Sequence, residues 1–322
     1  MVRLFVGTLF VSGCSTIADS QSSDVFEALR TASPVAEAEV RPVGIAADGK
    51  GVVVWAAAAD DGNGALRTTA PDGTPRTLVS SAIAPREIAL DGDDIYWTAF
   101  AGAEPNAEAG TVFRAGPDDG EARALAEGVE GLRDLVVDAT HVWLATTEGV
   151  ARLEKDGGEY TLVVPTERPV LRLAQDEAHV FWREGQPIGS VRGVAKSDGE
   201  AFTISPDVDS DGIFVQQGFL FFADRGRLHI ASLEDRDILE LGASEVDTVA
   251  ELVGDREALY YTDASRQRIF RFGFEMGWVE TFVGGQWGAQ RLVLTEEALF
   301  WTDLAQEDAH AGRVMTAITS LP

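Results

Sequence analysis

The chain has 322 residues, of which 45% are hydrophobic and 25% are charged, the balance of a globular protein with a sizeable core. Its 53 acidic residues outnumber its 26 basic ones, and the net charge of −27 repels nucleic-acid phosphates and anionic lipid head groups. We therefore expect no nucleic-acid partner. One cysteine excludes an internal disulfide.

Residues 1–13 predict a lipoprotein signal peptide. Arg3 gives a short basic start, Leu4 to Val11 is apolar, and Val11-Ser12-Gly13-Cys14 resembles the bacterial lipobox. The apolar stretch is shorter than the roughly 20 residues that a spanning helix needs. We expect Cys14 to carry lipid, palmitate included, and to hold the protein on a bacterial envelope membrane, with the outer membrane favoured over the inner. A buried N-terminal strand with a chance cysteine is the alternative.

Residues 14–34 are rich in Ser, Ala and Asp and predict a flexible tether between the lipid and the domain. From residue 35 to 322 one sequence pattern repeats seven times. It consists of an apolar triplet, usually an Asp, a turn, and an apolar-aromatic run. Strand-like units repeating every 40 residues or so are typical of propeller blades. The aromatic run places one column at Trp55, Trp97, Leu144, Trp182, Phe222, Tyr261 and Trp301.

Each unit divides into four short antiparallel strands, so the sequence predicts an all-β, seven-bladed propeller over residues 35–322. The last unit ends early, after its third strand. The segment from Ala36 to Arg41 precedes the first unit and has no partner strand there. We expect it to supply the outer strand of the last blade. A six-bladed ring is the alternative, and we expect a monomer.

A charged column lies directly before the innermost strands, which line the channel of a propeller. We expect these side chains to ring the channel mouth and to form a pocket in which arginines bind an anionic group. A ring of ion pairs that only neutralises itself is the alternative. The column holds Glu87, Asp134, Arg172, Glu251 and Arg291, with Arg86 and Arg133 beside it.

A second candidate site is the segment Asp207-Val208-Asp209-Ser210-Asp211-Gly212, which matches the opening of a calcium loop. The match fails at its twelfth position, where Gly218 stands in place of a glutamate. The sequence therefore makes Asp207, Asp209 and Asp211 a candidate Ca²⁺ site, with a solvated loop as the alternative. We expect no other cofactor.

Three of the units carry Tyr96-Trp97-Thr98, Tyr260-Tyr261-Thr262-Asp263 and Phe300-Trp301-Thr302-Asp303. These resemble the YWTD repeat of low-density-lipoprotein-receptor-type propellers and of bacterial extracytoplasmic propeller lipoproteins, as degenerate copies over residues 43–317. YWTD propellers have six blades, and this chain offers seven units.

The resemblance implies interaction more than chemistry. We expect a non-enzymatic protein that binds or scaffolds a protein or glycan of the cell envelope through its channel mouth or a blade surface. A channel-site hydrolase or lyase acting on a small molecule or saccharide is the alternative.

Overall fold

The computed structural model describes residues 30–48, 51–59, 63–70, 72–81, 83–100, 109–116, 121–197, 199–243, 249–263, 267–286, 288–304 and 311–319. Cys14, the predicted signal peptide and most of the predicted tether lie outside these residues. Among the described residues, no helix has the length and hydrophobicity that a membrane span requires.

Seven four-stranded antiparallel sheets form the blades of a propeller, which confirms the predicted all-β fold with seven blades rather than six. From the innermost strand outward, blade 1 holds β2 (Pro42–Ala47), β3 (Val53–Ala58), β4 (Gly64–Thr69) and β5 (Pro75–Ser81). Blade 2 holds β6 (Ala84–Asp91), β7 (Asp94–Phe100), β8 (Gly110–Ala115) and β9 (Arg123–Val129). Blade 3 holds β10 (Asp134–Val137), β11 (His141–Ala145), β12 (Gly149–Glu154) and β13 (Thr161–Pro165).

The next three blades repeat this order. Blade 4 holds β14 (Val170–Gln175), β15 (His179–Glu184), β16 (Gly189–Ala195) and β17 (Ala201–Val208). Blade 5 holds β18 (Ile213–Gln216), β19 (Phe219–Asp224), β20 (Arg227–Ser232) and β21 (Ile238–Ala243). Blade 6 holds β22 (Val249–Gly254), β23 (Ala258–Asp263), β24 (Arg268–Gly273) and β25 (Trp278–Val283).

Blade 7 closes the ring with strands from both ends of the described chain. Its inner three strands are β26 (Ala289–Leu294), β27 (Ala298–Leu304) and β28 (Ala311–Ile318), and its outer strand is β1 (Ser33–Val40), antiparallel to β28. The predicted closure by the N-terminal segment is therefore confirmed. Strand β1 begins at Ser33, ahead of the predicted domain start at residue 35.

The aromatic column of the sequence packs between blades, as predicted. Trp97 contributes to a cluster with Val54 and Ala56 of blade 1, and Trp182 packs with Trp143 of blade 3. Both tryptophans are 0% exposed. Because each ring lies between two sheets, a propeller needs one large apolar side chain at this place in every blade.

The repeated turn aspartates mostly bind the backbone of their own hairpins. Asp48, Asp176 and Asp255 each accept a hydrogen bond from a backbone N–H within four residues. Asp138 does the same and also accepts the indole N–H of Trp143 at 2.8 Å. Asp91 ion-pairs with Lys155 of the next blade, and Asp138 ion-pairs with Lys196 of blade 4 at 3.0 Å, so these two turns also join neighbouring blades.

Candidate functional site: the channel mouth

Side chains of the innermost strands surround a cavity of about 390 Å³ at one end of the channel. Polar residues supplied by separate blades face it, among apolar walls such as Val43, Phe100 and Leu171. The polar lining consists of Arg86, Glu87, Arg133, Arg172, Gln186, Asp211, Gln290 and Arg291. We call this cavity the channel mouth.

The charged column lies mainly inside the inner strands, which corrects the expectation that it would stand directly before them. Register shifts occur between Pro85 and Ile88, between Val249 and Leu252, and between Ala289 and Leu292. A bulge places extra residues on one strand against its partner and redirects their side chains. These bulges contain Glu87, Glu251 and Arg291. The side chains of these three residues therefore leave the regular strand pairing and point toward the channel.

Arg291 is bound between two glutamates. Its Nη1 donates to the Glu251 Oε2 at 2.9 Å, and its Nη2 donates to the Glu87 Oε1. Burial lowers the pKa of the guanidinium, but the two carboxylates outweigh burial and raise it overall. Arg291 is therefore already paired inside the protein, and this part of the column is the self-neutralising ring that was the alternative prediction.

Asp134 is buried, with 9% of its surface exposed, and it connects two blades. Its Oδ1 accepts the Leu135 N–H, and its Oδ2 accepts the Leu173 N–H of blade 4, both at 2.8 Å. Burial, and next the negative charge of Glu87, raise the pKa of the Asp134 carboxyl to about 6. Asp134 holds the inner strands of blades 3 and 4 together and does not line the cavity.

Arg172 is less engaged. Its Nη1 is 3.8 Å from the Glu87 Oε1 and 3.5 Å from the Leu171 carbonyl, and its buried Nε has no hydrogen-bond partner in the part of the chain described. The side chain is 23% exposed and lines the mouth. Its described contacts within the protein are therefore long, while the side chain lines the mouth.

Arg133 lies close to Arg172. Burial, and next the positive charge of Arg172, lower the pKa of Arg133, while Asp211 acts in the opposite direction. Like charges brought together in a partly buried place repel one another, and an anion between them removes that repulsion. The pair Arg133 and Arg172, with Arg86 in the same lining, is the electropositive side of the mouth.

Gln186 is a lining residue that the sequence did not indicate. It lies in the turn between β15 and β16, which is held by the fully buried Arg183. The Arg183 side chain donates to the carbonyls of Gly185 at 2.6 Å and Ser210 at 2.9 Å. The sequence offers one sign that this turn is fixed against the neighbouring blade. Arg183 directly follows the apolar run Val180-Phe181-Trp182.

The three calcium-loop aspartates do not come together. Among the described residues, no group of three or more His, Cys, Asp or Glu side chains is placed to hold a metal ion. Asp209 accepts the Arg225 N–H at 2.8 Å, and Asp207 is exposed in β17. Asp211 lines the channel mouth instead. The predicted ligand set is therefore not assembled, because the segment continues as the extended entry to blade 5.

Solved structures share this fold. A chain in the crystal structure of a nidogen/laminin complex matches with a TM-score of 0.53 at 13% identity, over 69% of this chain and 91% of that chain. The crystal structure of a computationally designed protein matches with a TM-score of 0.60 at 13% identity, over 87% and 98% of the two chains. At this identity the likeness shows the propeller fold, and it fits a YWTD-like repeat. No protein-family model and no curated protein sequence matches the chain.

Proposed function

We propose that this protein is a non-enzymatic binding protein whose channel mouth binds an acidic group on a protein or glycan partner. The observation that carries the proposal is the placement of Arg86, Arg133 and Arg172 in one lining, in a chain with a net charge of −27. Basic residues are scarce in this chain, so three arginines beside one cavity are a local reversal of its electrostatic field.

Two further observations support binding over catalysis. The described lining contains no Ser, Thr, Cys or His that could act as a nucleophile or a histidine base. Of its two carboxylates, Glu87 and Asp211, the first is engaged by Arg291. By contrast, planar guanidinium groups form paired hydrogen bonds with carboxylate, sulfate and phosphate, and Arg172 lines the mouth.

The fold is compatible with this role. One structural neighbour comes from a complex of two proteins, nidogen and laminin, and propellers present a rigid ring of loops at each end of the channel. The likeness concerns the fold alone, and one fold serves many functions, so the role depends on the residues of the channel mouth.

We further propose that the protein works at a bacterial envelope membrane, held there by lipid on Cys14. The support is the order of a basic start, an apolar run and small residues before the cysteine. Each buried acyl methylene contributes about 0.8 kcal/mol, and two or more chains give lasting attachment. The outer membrane is the favoured location. Because the acidic surface repels anionic lipid head groups, the lipid on Cys14 is the only proposed membrane contact.

Capture of a partner tests the proposed role. Residues 30–322 of the parent, of the double variant Arg133→Gln/Arg172→Gln, and of Arg227→Gln would be immobilised and exposed to solubilised envelope. Arg227 is 50% exposed in blade 5 and pairs with Glu240, so its variant is a control for loss of basic charge elsewhere. We expect one partner to be retained by the parent and by Arg227→Gln and lost by the double variant. Equal retention by all three would contradict a role for the channel mouth.

A further inference from the structure

A second column of large side chains faces the following blade, one residue before the aromatic column described above. Strand pairing fixes its members, because each lies opposite the same position of its inner strand. In six blades the residue is aromatic, and in blade 1 it is Val54, opposite Ala46. The aromatic members are Tyr96, Trp143, Phe181, Phe221, Tyr260 and Phe300.

These rings fill the space between neighbouring blades. Phe181 is buried in a cluster with Ile213 and Leu220 of blade 5. Tyr96 packs in a cluster with Leu135 of blade 3, and the Lys155 ammonium of that blade lies 5.6 Å from its ring centroid. One ring at each of these junctions is thus part of the packing scheme of the fold.

At the junction of blades 1 and 2 this column has no aromatic side chain, and a cavity of about 630 Å³ is present. Val54 lines it, and so does Thr68, which pairs with Val54 from the third strand. In blades 2, 3 and 6 the third-strand residue is an arginine, so both members of the pair are smaller in blade 1 than in those three blades. In blades 4, 5 and 7 the third-strand residue is Gly193, Ile230 and Thr316, so against those blades the difference is the missing aromatic side chain. The third-strand arginines are Arg114, Arg152 and Arg271.

The cavity has an apolar floor and a charged rim. Val54, Leu78, Leu90 and Ile95 supply the floor, and Ile95 is only 5% exposed. Asp48 and Asp93 lie on the rim, together with Arg76. Among the described residues the rim holds two carboxylates and one guanidinium, an excess of negative charge that complements a cationic group, while Lys50 lies outside the described residues.

The cavity lies on the face of the ring opposite the channel mouth. The inner strands β2 and β6 run from the mouth to the turns that contain Asp48 and Gly92, and those turns line the cavity. This site is therefore separate from the proposed acidic-group site and does not depend on it.

We propose that the junction of blades 1 and 2 is a binding site for a small aromatic compound that carries a cationic amine. Its ring occupies the place that a protein side chain occupies at the other junctions, where apolar walls meet it on both sides. Its amine lies at the rim beside Asp48 and Asp93. Such a cavity, apolar within and with a few polar groups at its entrance, is the usual form of a small-molecule site.

Calorimetric titration with tryptamine tests the proposal, at about 150 mM salt so that the general acidity of the surface is screened. We expect saturable binding with one site per chain and a dissociation constant on the order of 1 mM or tighter, as for a fragment-sized ligand. Indole-3-propionate, with the same ring and a negative charge, is expected to bind at least tenfold more weakly.

The variant Val54→Phe restores the ring that six blades carry. It leaves the charge unchanged, and we expect a melting temperature equal to or above that of the parent, with tryptamine binding weakened at least tenfold. Leu239→Phe, at a site 67% exposed in blade 5, is the control for adding an aromatic side chain and is expected to bind tryptamine as the parent does. If the parent shows no saturable binding, or if folded Val54→Phe binds as tightly as the parent, the proposal is overturned. Indole-3-propionate binding as tightly as tryptamine would overturn the choice of a cationic ligand.

Discussion

At the scale of single residues, the charges of the channel divide into two sets with different roles. All three of Arg133, Arg172 and Arg291 line the cavity. Arg291 is enclosed by Glu87 and Glu251, whereas Arg172 approaches Glu87 only to 3.8 Å. The sequence predicted the column but could not predict this division. Glu87 and Arg291 are 204 positions apart and meet only because the ring closes. Their pairing follows from the geometry of the whole ring, which a periodic pattern does not contain.

Replacing Arg291 by Ala is expected to destabilise the fold by about 3 kcal/mol. The change leaves Glu87 and Glu251 partly buried without their counter-ion, and breaking one member of a buried pair is costly. The side chain of Arg291 is 16% exposed, so water recovers little of the loss. Denaturant unfolding measures the effect, with Arg227→Ala as the exposed control, expected to change stability by less than about 1 kcal/mol. Equal effects of the two substitutions would show that the ring of ion pairs contributes nothing special.

Asp134 predicts a dependence of stability on pH. Its folded pKa of about 6 lies above the ordinary value of 3.8, so between these values the folded state binds more protons than the unfolded state. This residue's contribution to stability therefore falls as pH rises from 4 to 6, and the penalty is fully present above that range. Relative to Asp134→Asn, the parent is expected to lose about 2 kcal/mol between pH 4 and pH 7. Unfolding free energies of both proteins at the two pH values check this, and a constant difference would contradict the raised pKa.

At the scale of elements, β1 joins the two ends of the ring. Glu39 of β1 is 4% exposed, accepts the Trp55 indole N–H of blade 1 at 2.9 Å, and ion-pairs with Arg67 at 3.3 Å. The sequence revealed the spare strand because the last unit lacks an outer strand of its own. It did not reveal that this strand also holds blade 1, since nothing near Glu39 in sequence points to Trp55.

We expect Glu39→Ala to cost about 2 kcal/mol, because it leaves a buried indole N–H and a partly buried guanidinium without their acceptor. Glu37→Ala is the matched control, since Glu37 lies on the same strand and is exposed. Its effect is expected to stay within about 0.5 kcal/mol. Chemical denaturation of the three proteins gives the comparison. A loss as large for Glu37 as for Glu39 would mean that the strand, rather than the contact with Trp55, is responsible.

At the scale of the whole molecule, the blade count followed from a period that each unit repeats on its own, so the fold could be predicted closely. The cavity between blades 1 and 2 coincides with a departure from that period, Val54 in a column of aromatic residues. A single missing ring is hard to distinguish from ordinary variation until strand pairing aligns the column.

The proposed attachment of the molecule to a membrane is tested through Cys14. Cys14→Ala removes the thiol that would carry lipid, and we expect the protein to move from the membrane fraction to the soluble fraction and to lose incorporation of labelled palmitate. Ser15→Ala, next to it, is expected to change neither. Membrane fractionation and label counting give the result. Retention of the alanine variant in the membrane fraction would contradict a lipid anchor at this residue.

Calorimetric titration of folded residues 30–322 with D-glucuronate, succinate and sulfate tests whether the channel mouth binds an acidic group. We expect at least one of the three to bind the parent and Arg227→Gln with equal affinity, and to bind Arg133→Gln/Arg172→Gln at least tenfold more weakly. If none of the three binds the parent, or if the double variant binds as the parent does, the arginines have only a structural role in the propeller and the proposed binding role is wrong.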